Sequence, residues 1–387
     1  MDIDLETHVK APASAVFAFL TEPERMNRWS TARIEPVLGG DDGSASDVGA
    51  IRTVTIHASR TRTRLTEAIV LSDPPNRFVY RVFRGPPLLR YHRGEITTTP
   101  RGDGTQVRWR VRFDFAAPGM GALTRRTVVP ELRRSLDALA RVAEGSPEVA
   151  LPERRPLPLV DLAALRDDAT HVLGEQRAIA DRLGAAGDPK YWFARVYQYV
   201  TEALLAHAES SELSHPEWLL RLIPRFHAYY ADNLRRYLGE LPGECEGPWQ
   251  RAYRVADAGD PVRAPLLVVK GLLLGVAAHI EEDLPRALAE VHLEHFRDRA
   301  SYARFRADYV LMGHVFRAAS DRLLSEMPRA FLPAWLRAAR ATLPSELQDH
   351  LLNRRTYDIP GVRLAAFERG RRLADWRDQA SARASAR

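Results

Sequence analysis

Hydrophobic and polar positions alternate along most of the first 115 residues. The clearest run is 105–115, in which apolar positions alternate with charged ones: Val107, Trp109, Val111, Phe113 and Phe115 against Arg108, Arg110, Arg112 and Asp114. A period of two residues predicts an antiparallel strand with one buried face and one face in water. The same period, bounded by turn residues, predicts further strands at 3–9, 33–38, 50–59, 62–72, 76–84 and 90–99.

Helical patterns precede and follow this series of strands. A helix is predicted to begin at Pro12, a second helical piece covers 23–29, and a long helix covers about 119–144. The order is one strand, two short helices, a meander of strands and one long helix. It predicts an α+β helix-grip fold, in which an antiparallel sheet curls around the C-terminal helix.

Several motifs in this region resemble the polyketide cyclase/dehydrase and lipid-transport superfamily, also called START-like or SRPBCC. They are the run from Phe19 to Trp29, the hairpin residues Gly94-Glu95-Ile96 and Gly104-Thr105-Gln106-Val107, and Trp109. The resemblance covers 1–146. It implies a cavity between the curled sheet and the long helix that takes an apolar ligand.

The resemblance also implies which side chains meet that ligand. The predicted ligand-binding residues are Trp29, His57, Glu67, Tyr80, Tyr91, Trp109, Val111 and Phe113. Trp109, Val111 and Phe113 would line the wall, Trp29 would lie near the mouth, and the others would supply polar groups inside the cavity or at its rim. The alternative is that the aromatic residues of the last strand are ordinary core, where such side chains are often found.

A proline-rich stretch at 147–158 divides the chain into two predicted domains, 1–146 and 159–387. Prolines at this density favour a semi-rigid linker. After it the strand pattern stops and helical periods predict an all-α bundle. The predicted helices are 161–183, 189–209, 215–238, 248–257, 263–283, 285–298, 301–325, 329–341, 344–352 and 361–382.

The most hydrophobic segment, 265–280, is predicted to be the central buried helix of this bundle. Gly271, Gly275, His279 and Asp283 follow one another at four-residue spacing along it. The glycines would let another backbone approach closely. An imidazole and a carboxylate then lie on the same face, and ionisable groups there need partners.

The second domain resembles an all-helical family of unknown function numbered 5995. The matching residues are Val200-Thr201-Glu202, Phe226 to Tyr230, Trp249-Gln250, and Leu274 to Pro285 with its Ala-His-Ile-x-x-Asp-Leu-Pro block. The resemblance spans roughly 185–385. Because no settled activity comes with that family, the resemblance implies a fold more than a function.

Three hypotheses account for the His279–Asp283 pair. In the first, the two residues bind a transition metal with Glu202 and His227, because His and Asp are common ligands of such ions. In the second, Asp283 pairs with Arg369, a cation on an otherwise apolar helix stripe, and the pair is structural. In the third, His279 is a catalytic acid–base group that Asp283 orients, without metal.

Composition narrows the function classes. The 387 residues carry a formal charge of +6, but 53 of the 56 basic residues are arginines scattered among acids, which argues against a nucleic-acid-binding stripe. Cys245 is the one cysteine, so no disulfide forms within the chain. The apolar run is too short for a membrane span, and the N-terminus lacks a signal pattern. A cytoplasmic protein is expected.

The sequence therefore predicts binding of a hydrophobic small molecule, lipid-like or polyketide-like, in the first domain. The helical domain would modify that molecule or complete its pocket. One alternative is a metal-dependent enzyme centred on His279. Another is a non-catalytic carrier or interaction protein. An enclosed polar pocket against His279 would favour an enzyme, whereas a closed, salt-bridged site would favour a scaffold.

Overall fold

The structure is a computed structural model that describes residues 1–58, 61–152, 157–158, 160–210, 212–260, 262–355 and 357–385. The chain divides into two compact units. The first unit comprises Met1–Leu157 and Ala300–Leu311. The second comprises Pro158–Arg299 and Met312–Arg387.

Within its described residues, the first unit contains one seven-stranded sheet with the order β1-β7-β6-β5-β4-β3-β2. Its elements are β1 (Asp2–Val9), α1 (Ala13–Thr21), α2 (Pro23–Met26), β2 (Ala32–Leu38), β3 (Ile51–Ala58), β4 (Thr61–Asp73), β5 (Arg77–Arg84), β6 (Leu89–Arg101), β7 (Gly104–Phe115) and α3 (Met120–Ala143). Neighbouring strands are antiparallel. The predicted helix-grip fold is confirmed.

The strand β7, which has the clearest alternating pattern, lies between β1 and β6. Trp109 lies opposite Leu5 on β1 and Ile96 on β6, so the inner faces of three strands meet in one apolar layer. On the outer face Arg108 donates from Nε to Asp4 Oδ1 at 2.9 Å. The helix α3 packs against β1 and α1 and covers the inner layer with residues such as Leu136 and Leu139.

After α3 the described part of the chain is helical; residues 300–311 belong to the first unit, and the other helices belong to the second. The helices that follow α3 are α4 (Ala163–Ala185), α5 (Tyr191–Ala208), α6 (Pro216–Tyr237), α7 (Gly247–Asp257), α8 (Pro265–Ala278), α9 (Leu284–His295), α10 (Arg306–Leu311), α11 (Gly313–Glu326), α12 (Ala334–Thr342), α13 (Ser345–Arg355) and α14 (Ile359–Ser385). Short 3₁₀ turns cover Tyr302–Phe305 and Arg329–Phe331. Among the described residues, no helix is both long enough and apolar enough to cross a bilayer.

The glycines of α8 allow the close approach of neighbouring helices that their spacing predicts. A Cβ atom on Gly271 would lie 2.7 Å from the Cβ of Ala256 on α7. One on Gly275 would lie 2.9 Å from Cδ2 of Phe193 on α5. Both distances are too short for a real side chain, so glycine at these positions lets α8 pack closely against two neighbours.

The segment Ala300–Leu311, which contains α10, packs on the sheet of the first unit next to β4 and β5. The guanidinium of Arg306 donates from Nη1 to the carbonyl oxygens of Gly39 at 2.6 Å and Gly49 at 2.7 Å. Arg304 donates to Asp41 at 2.8 Å. The helix predicted over 301–325 is therefore interrupted, because 302–311 follows the surface of the sheet and a new helix begins at Gly313.

Candidate functional site

The inner face of the sheet carries a chain of polar groups within the apolar layer. The indole Nε1 of Trp109 donates to the hydroxyl oxygen of Tyr80 at 3.0 Å. The Tyr80 ring lies 5.7 Å from the imidazole of His92, which in turn lies 5.9 Å from the ring of Phe113. A Cβ on Gly94 would lie 2.4 Å from the Tyr80 hydroxyl, so glycine there makes room for the tyrosine across β6.

His92 places an imidazole on this inner face. Its Nδ1 is buried and has no hydrogen-bond partner among the described residues. Burial, assisted by the nearby charge of Arg81, lowers the pKa of His92 to about 4. The imidazole is therefore neutral at pH 7, with one ring nitrogen available as a donor and the other as an acceptor.

His92 is not among the ligand-binding residues predicted from the sequence, which include its neighbour Tyr91. Tyr91 pairs with Asp114 on β7 and lies on the outer face, where Arg81 and Arg112 stack over its ring at 4.7 and 5.7 Å. Its predicted place in the cavity is wrong. His92 lies opposite Phe113, an inward position of β7, so the pairing of β6 with β7 identifies it as an inner-face residue.

Glu67 faces inward as predicted, but a buried cation holds it. Its Oε1 accepts from Nε of Arg52 at 3.0 Å and from Nη2 at 2.6 Å. Arg52 also donates from Nη1 to the carbonyl oxygen of Thr21 at 3.0 Å. Burial raises the pKa of Glu67, although Arg52 opposes the shift. A buried pair of this kind ties β3 to β4 and to the end of α1, and it leaves little net charge on the inner face.

The structure places the other predicted ligand residues differently from one another. Trp29 is only 3% exposed, donates to the carbonyl oxygen of Phe19 at 2.8 Å and stacks edge-on against Trp109, so it belongs to the core and not to a mouth. Val111 and Phe113 are buried on the inner face, and that they line a ligand cavity stays a prediction. His57 lies on β3, but its side chain falls outside the described residues.

Burial along the inner face changes from one end of the sheet to the other. Val9, Val107 and Leu139 are completely buried. At the opposite end several apolar side chains keep some exposed surface: Leu89, Phe115, Val128 and Leu132. His92 is half-buried and lies beside Phe113, two residues before the end of β7. The end at which His92 lies is therefore the more accessible one.

The predicted His279–Asp283 pair is present in the second unit. The two residues bound a π-helix, His279–Asp283, that joins α8 to α9. Nδ1 of His279 lies 2.9 Å from Oδ2 of Asp283, and the same oxygen accepts from the indole Nε1 of Trp249 at 2.9 Å. Both residues are buried. Trp249, to which the sequence assigns no role, is thus a partner of the carboxylate.

The cation that pairs with Asp283 is Arg286, and the predicted pair with Arg369 is wrong. Nη2 of Arg286 donates to Oδ1 of Asp283 at 2.7 Å. The same guanidinium binds both oxygens of Glu246, at 2.9 and 2.7 Å, and lies 4.3 Å over the ring of Tyr229. The prediction failed because it ended the helix near Pro285. In the structure α9 begins at Leu284, so Arg286 lies within one turn of Asp283.

Aromatic rings close the site around His279. Phe226 stacks on the imidazole with centroids 3.6 Å apart, and Tyr197 meets it edge-on at 4.5 Å. Nε2 of His279 is buried and has no hydrogen-bond partner among the described residues. Burial lowers the pKa of His279 despite the opposing effect of Asp283. The neutral ring therefore donates from Nδ1 to the carboxylate.

The residues of the predicted metal shell do not converge. Glu202 pairs with Arg322 at 3.3 Å. His227 lies between Glu175 and Gln176, each 3.4 Å from a ring nitrogen. Both oxygens of Asp283 already accept from donors. Across the described ranges of the chain, no three His, Cys, Asp or Glu side chains are grouped so as to hold a metal ion. The donor set does not fit a transition metal.

Two family models match the chain. One is described as polyketide cyclase / dehydrase and lipid transport and matches residues 1–144. The other is described as a family of unknown function (DUF5995) and matches residues 169–387. Both resemblances stated from the sequence are confirmed. No curated protein matches the chain.

Solved structures similar to part of the chain include three with related descriptions. A START superfamily protein from Mycobacterium smegmatis is 13% identical, and the match covers 37% of this chain and 97% of that one with a TM-score of 0.33. The Zhui aromatase/cyclase from Streptomyces sp. R1128 is 18% identical, with 38% and 99% covered and a TM-score of 0.31. The major latex-like protein 151 from Panax ginseng is 11% identical, with 37% and 97% covered and a TM-score of 0.31.

Proposed function

We propose that the first unit of this chain, which belongs through residues 169–387 to the family of unknown function DUF5995, binds a hydrophobic small molecule. The proposed site is the inner face of the sheet at the end where His92 lies. The observation that carries the proposal is the unpartnered Nδ1 of His92 within an apolar layer. A buried polar atom without a partner is costly, and a ligand that meets it would remove that cost.

The neighbouring side chains restrict the ligand's chemistry. Phe113, Phe115 and Leu89 offer apolar and aromatic surface, part of which is exposed. The imidazole is neutral, and the charges of Arg52 and Glu67 are satisfied by each other. We therefore expect a neutral, largely apolar molecule with one hydroxyl or carbonyl group that hydrogen-bonds to His92.

For the second unit we propose a structural role of the His279–Asp283 pair. Phe226 stacks on one face of the imidazole and Tyr197 meets the ring edge-on, so a substrate would have to approach past these rings to reach it. The carboxylate is held by three donors from Trp249, His279 and Arg286. A closed, salt-bridged site favours a scaffold over acid–base catalysis.

Binding to the first unit can be tested on the full chain labelled with 5-fluorotryptophan, using 1-naphthol as a neutral probe with one hydroxyl group. The ¹⁹F resonance of Trp109, assigned with Trp109→Phe, reports on the inner face. We expect a saturable shift of that resonance. In His92→Phe, which keeps a ring but removes both nitrogens, the affinity should fall by about fivefold, the effect of one hydrogen bond of about 1 kcal/mol.

The matched control is Tyr91→Phe, on the next residue but on the outer face. It should bind 1-naphthol like the unchanged protein. The proposal would be refuted if the Trp109 resonance did not respond to 1-naphthol. It would also be refuted if His92→Phe and the unchanged protein bound 1-naphthol with equal affinity.

A further inference from the structure

The second unit contains an apolar pocket that neither the His279 site nor the first unit accounts for. Its floor is one face of α8, and its walls come from α5, α11, the segment 327–336 and the residues that end α13 and begin α14. The volume is about 130 Å³. The described lining residues are Val196, Val269, Leu272, Leu273, Val276, Ser320, Leu323, Leu324, Met327, Phe331, Leu332, Pro333, Trp335, Leu336, Leu352, Asn353, Tyr357 and Ile359.

The lining is almost entirely apolar. None of the described lining residues carries a charge, and the polar ones are Ser320, Asn353 and Tyr357. The Tyr357 hydroxyl donates to Oε1 of Glu281 at 2.7 Å, and the oxygen of a tyrosine hydroxyl is also an acceptor group. The Asn353 amide offers a donor and an acceptor. A charged ligand would find no counter-charge on this lining, whereas a neutral one would find polar groups from one short stretch of chain.

The pocket is not simply an imperfectly packed core. Its base is tightly buried, with Leu323 and Leu336 each 4% exposed and Phe331 1% exposed. Above this base the side chains of Leu273, Val276 and Trp335 keep exposed surface. Protein interiors normally fill such space, and an apolar ligand would remove the remaining apolar surface from water. The pocket is therefore built like a binding site, with a fixed base and an accessible upper wall.

We infer that this pocket is a second ligand site, for a neutral apolar molecule about the size of a six-carbon ring. An apolar cavity of about 150 Å³ is large enough for benzene, which supports this size. Asn353 and Tyr357 would admit one hydroxyl or carbonyl group on the ligand. The inference does not depend on ligand binding by the first unit, because it rests only on residues of the second.

Trp335 lines the pocket and makes the inference testable on the full chain. The protein is labelled with 5-fluorotryptophan, the Trp335 resonance is assigned with Trp335→Phe, and benzene is titrated. We expect a saturable shift of the Trp335 resonance. The resonance of Trp376, whose residue is 66% exposed, should not show a saturable shift. A shift of Trp109 without one of Trp335 would place benzene in the first unit and overturn the inference.

Filling the pocket provides the second arm of the test. Val276→Phe places a larger side chain in the space and should weaken benzene binding at Trp335 at least tenfold. The matched control is Val262→Phe, the same change at a position that is 88% exposed, and it should leave binding unchanged. Ser320→Leu, at another lining position, guards against a folding defect of Val276→Phe and should also weaken binding. Unchanged affinity in a folded filling variant would overturn the inference.

Discussion

Asp283 accepts a hydrogen bond from Nδ1 of His279 at 2.9 Å, and a π-helix joins the two residues. The neutral imidazole and the indole of Trp249 donate to the same carboxylate oxygen, while Arg286 binds the other. Three segments of the second unit therefore meet at a single buried carboxylate. π-Helical turns within α-helices often occur at functional sites. Here aromatic rings pack against His279, and both His279 and Asp283 are buried in the core of the second unit.

Asp283→Asn should destabilise the protein by about 3 kcal/mol, because a buried network would lose its central charge and the amide NH₂ would face donors. Urea unfolding followed by circular dichroism measures the change. Glu282→Gln is the control, on an exposed residue of the same turn, and should stay within about 0.5 kcal/mol of the unchanged protein. If Asp283→Asn were as stable as Glu282→Gln, the structural role would be refuted.

Arg286→Ala should destabilise the protein by about 3 kcal/mol, since it leaves Asp283 and Glu246 without their shared cation. Arg286→Lys should recover only part of this, because an ammonium cannot bind Glu246 through two parallel bonds. The comparison is Arg369→Ala, which should cost clearly less in the same unfolding experiment. The reverse order of the two alanine variants would restore the pairing predicted from the sequence.

The sequence pattern predicted some features of both units and missed others. The alternation around Trp109 predicted β7, and the spacing of Gly271 and Gly275 predicted the close packing of α8, because both are local consequences of a period. Arg286 was missed because the predicted helices were separated between 283 and 285, whereas in the structure the π-helix continues directly into α9. His92 was missed because its side chain follows from strand register, which pairs residues distant in sequence.

The segment Ala300–Leu311 was beyond sequence reasoning for a similar reason. Its helical period is compatible with the bundle that surrounds it in sequence. Its place is decided by two carbonyl oxygens of the first unit, those of Gly39 and Gly49, which bind Arg306. No period in the sequence encodes a contact between residues about 260 positions apart.

Stability should fall as the pH is lowered from 7.5 to 5. Burial lowers the pKa of His227 to about 4, below the usual 6.5. In this range the unfolded chain binds a proton that the folded chain does not, so the folded state loses stability as the pH falls through 6.5. For His227 the loss at pH 5 is about 2 kcal/mol. His92 and His279 act in the same direction.

The contribution of His227 is measured by comparing the free energies of unfolding at pH 7.5 and pH 5. His227→Gln should reduce the difference between these two free energies by about 2 kcal/mol. His171→Gln changes an exposed histidine, with 78% of its side chain accessible, and should leave the difference unaltered. Equal pH dependence of the two variants would mean that His227 takes up its proton without unfolding.

Arg306→Ala should destabilise the first unit by about 3 kcal/mol, because a buried guanidinium is removed and the carbonyl oxygens of Gly39 and Gly49 lose its hydrogen bonds. Hydrogen exchange of the β4 and β5 amides in the full chain measures the effect. Arg337→Ala, an exposed arginine of α12, is the control and should leave that exchange unchanged. Equal protection of β4 in both variants would show that the segment is not needed to hold the sheet.

Gly49 and Gly43 separate the contact with this segment from backbone strain. Their φ angles are +81° and +82°, so alanine at either position meets the same left-handed strain of about 1 kcal/mol. A Cβ on Gly43 has nothing within 4 Å, whereas one on Gly49 would lie 1.9 Å from the carbonyl oxygen of Ala303. Gly49→Ala must therefore also displace the segment.

We expect Gly49→Ala to cost about 2 kcal/mol more than Gly43→Ala, since overpacking against backbone adds to the strain. The free energy of unfolding is read from the ¹⁹F resonance of Trp109 in the labelled full chain, which reports on the first unit. An equal cost of the two substitutions would mean that Ala300–Leu311 leaves the sheet without penalty. A larger cost at Gly49, together with loss of protection in Arg306→Ala, would identify the segment as a structural part of the first unit.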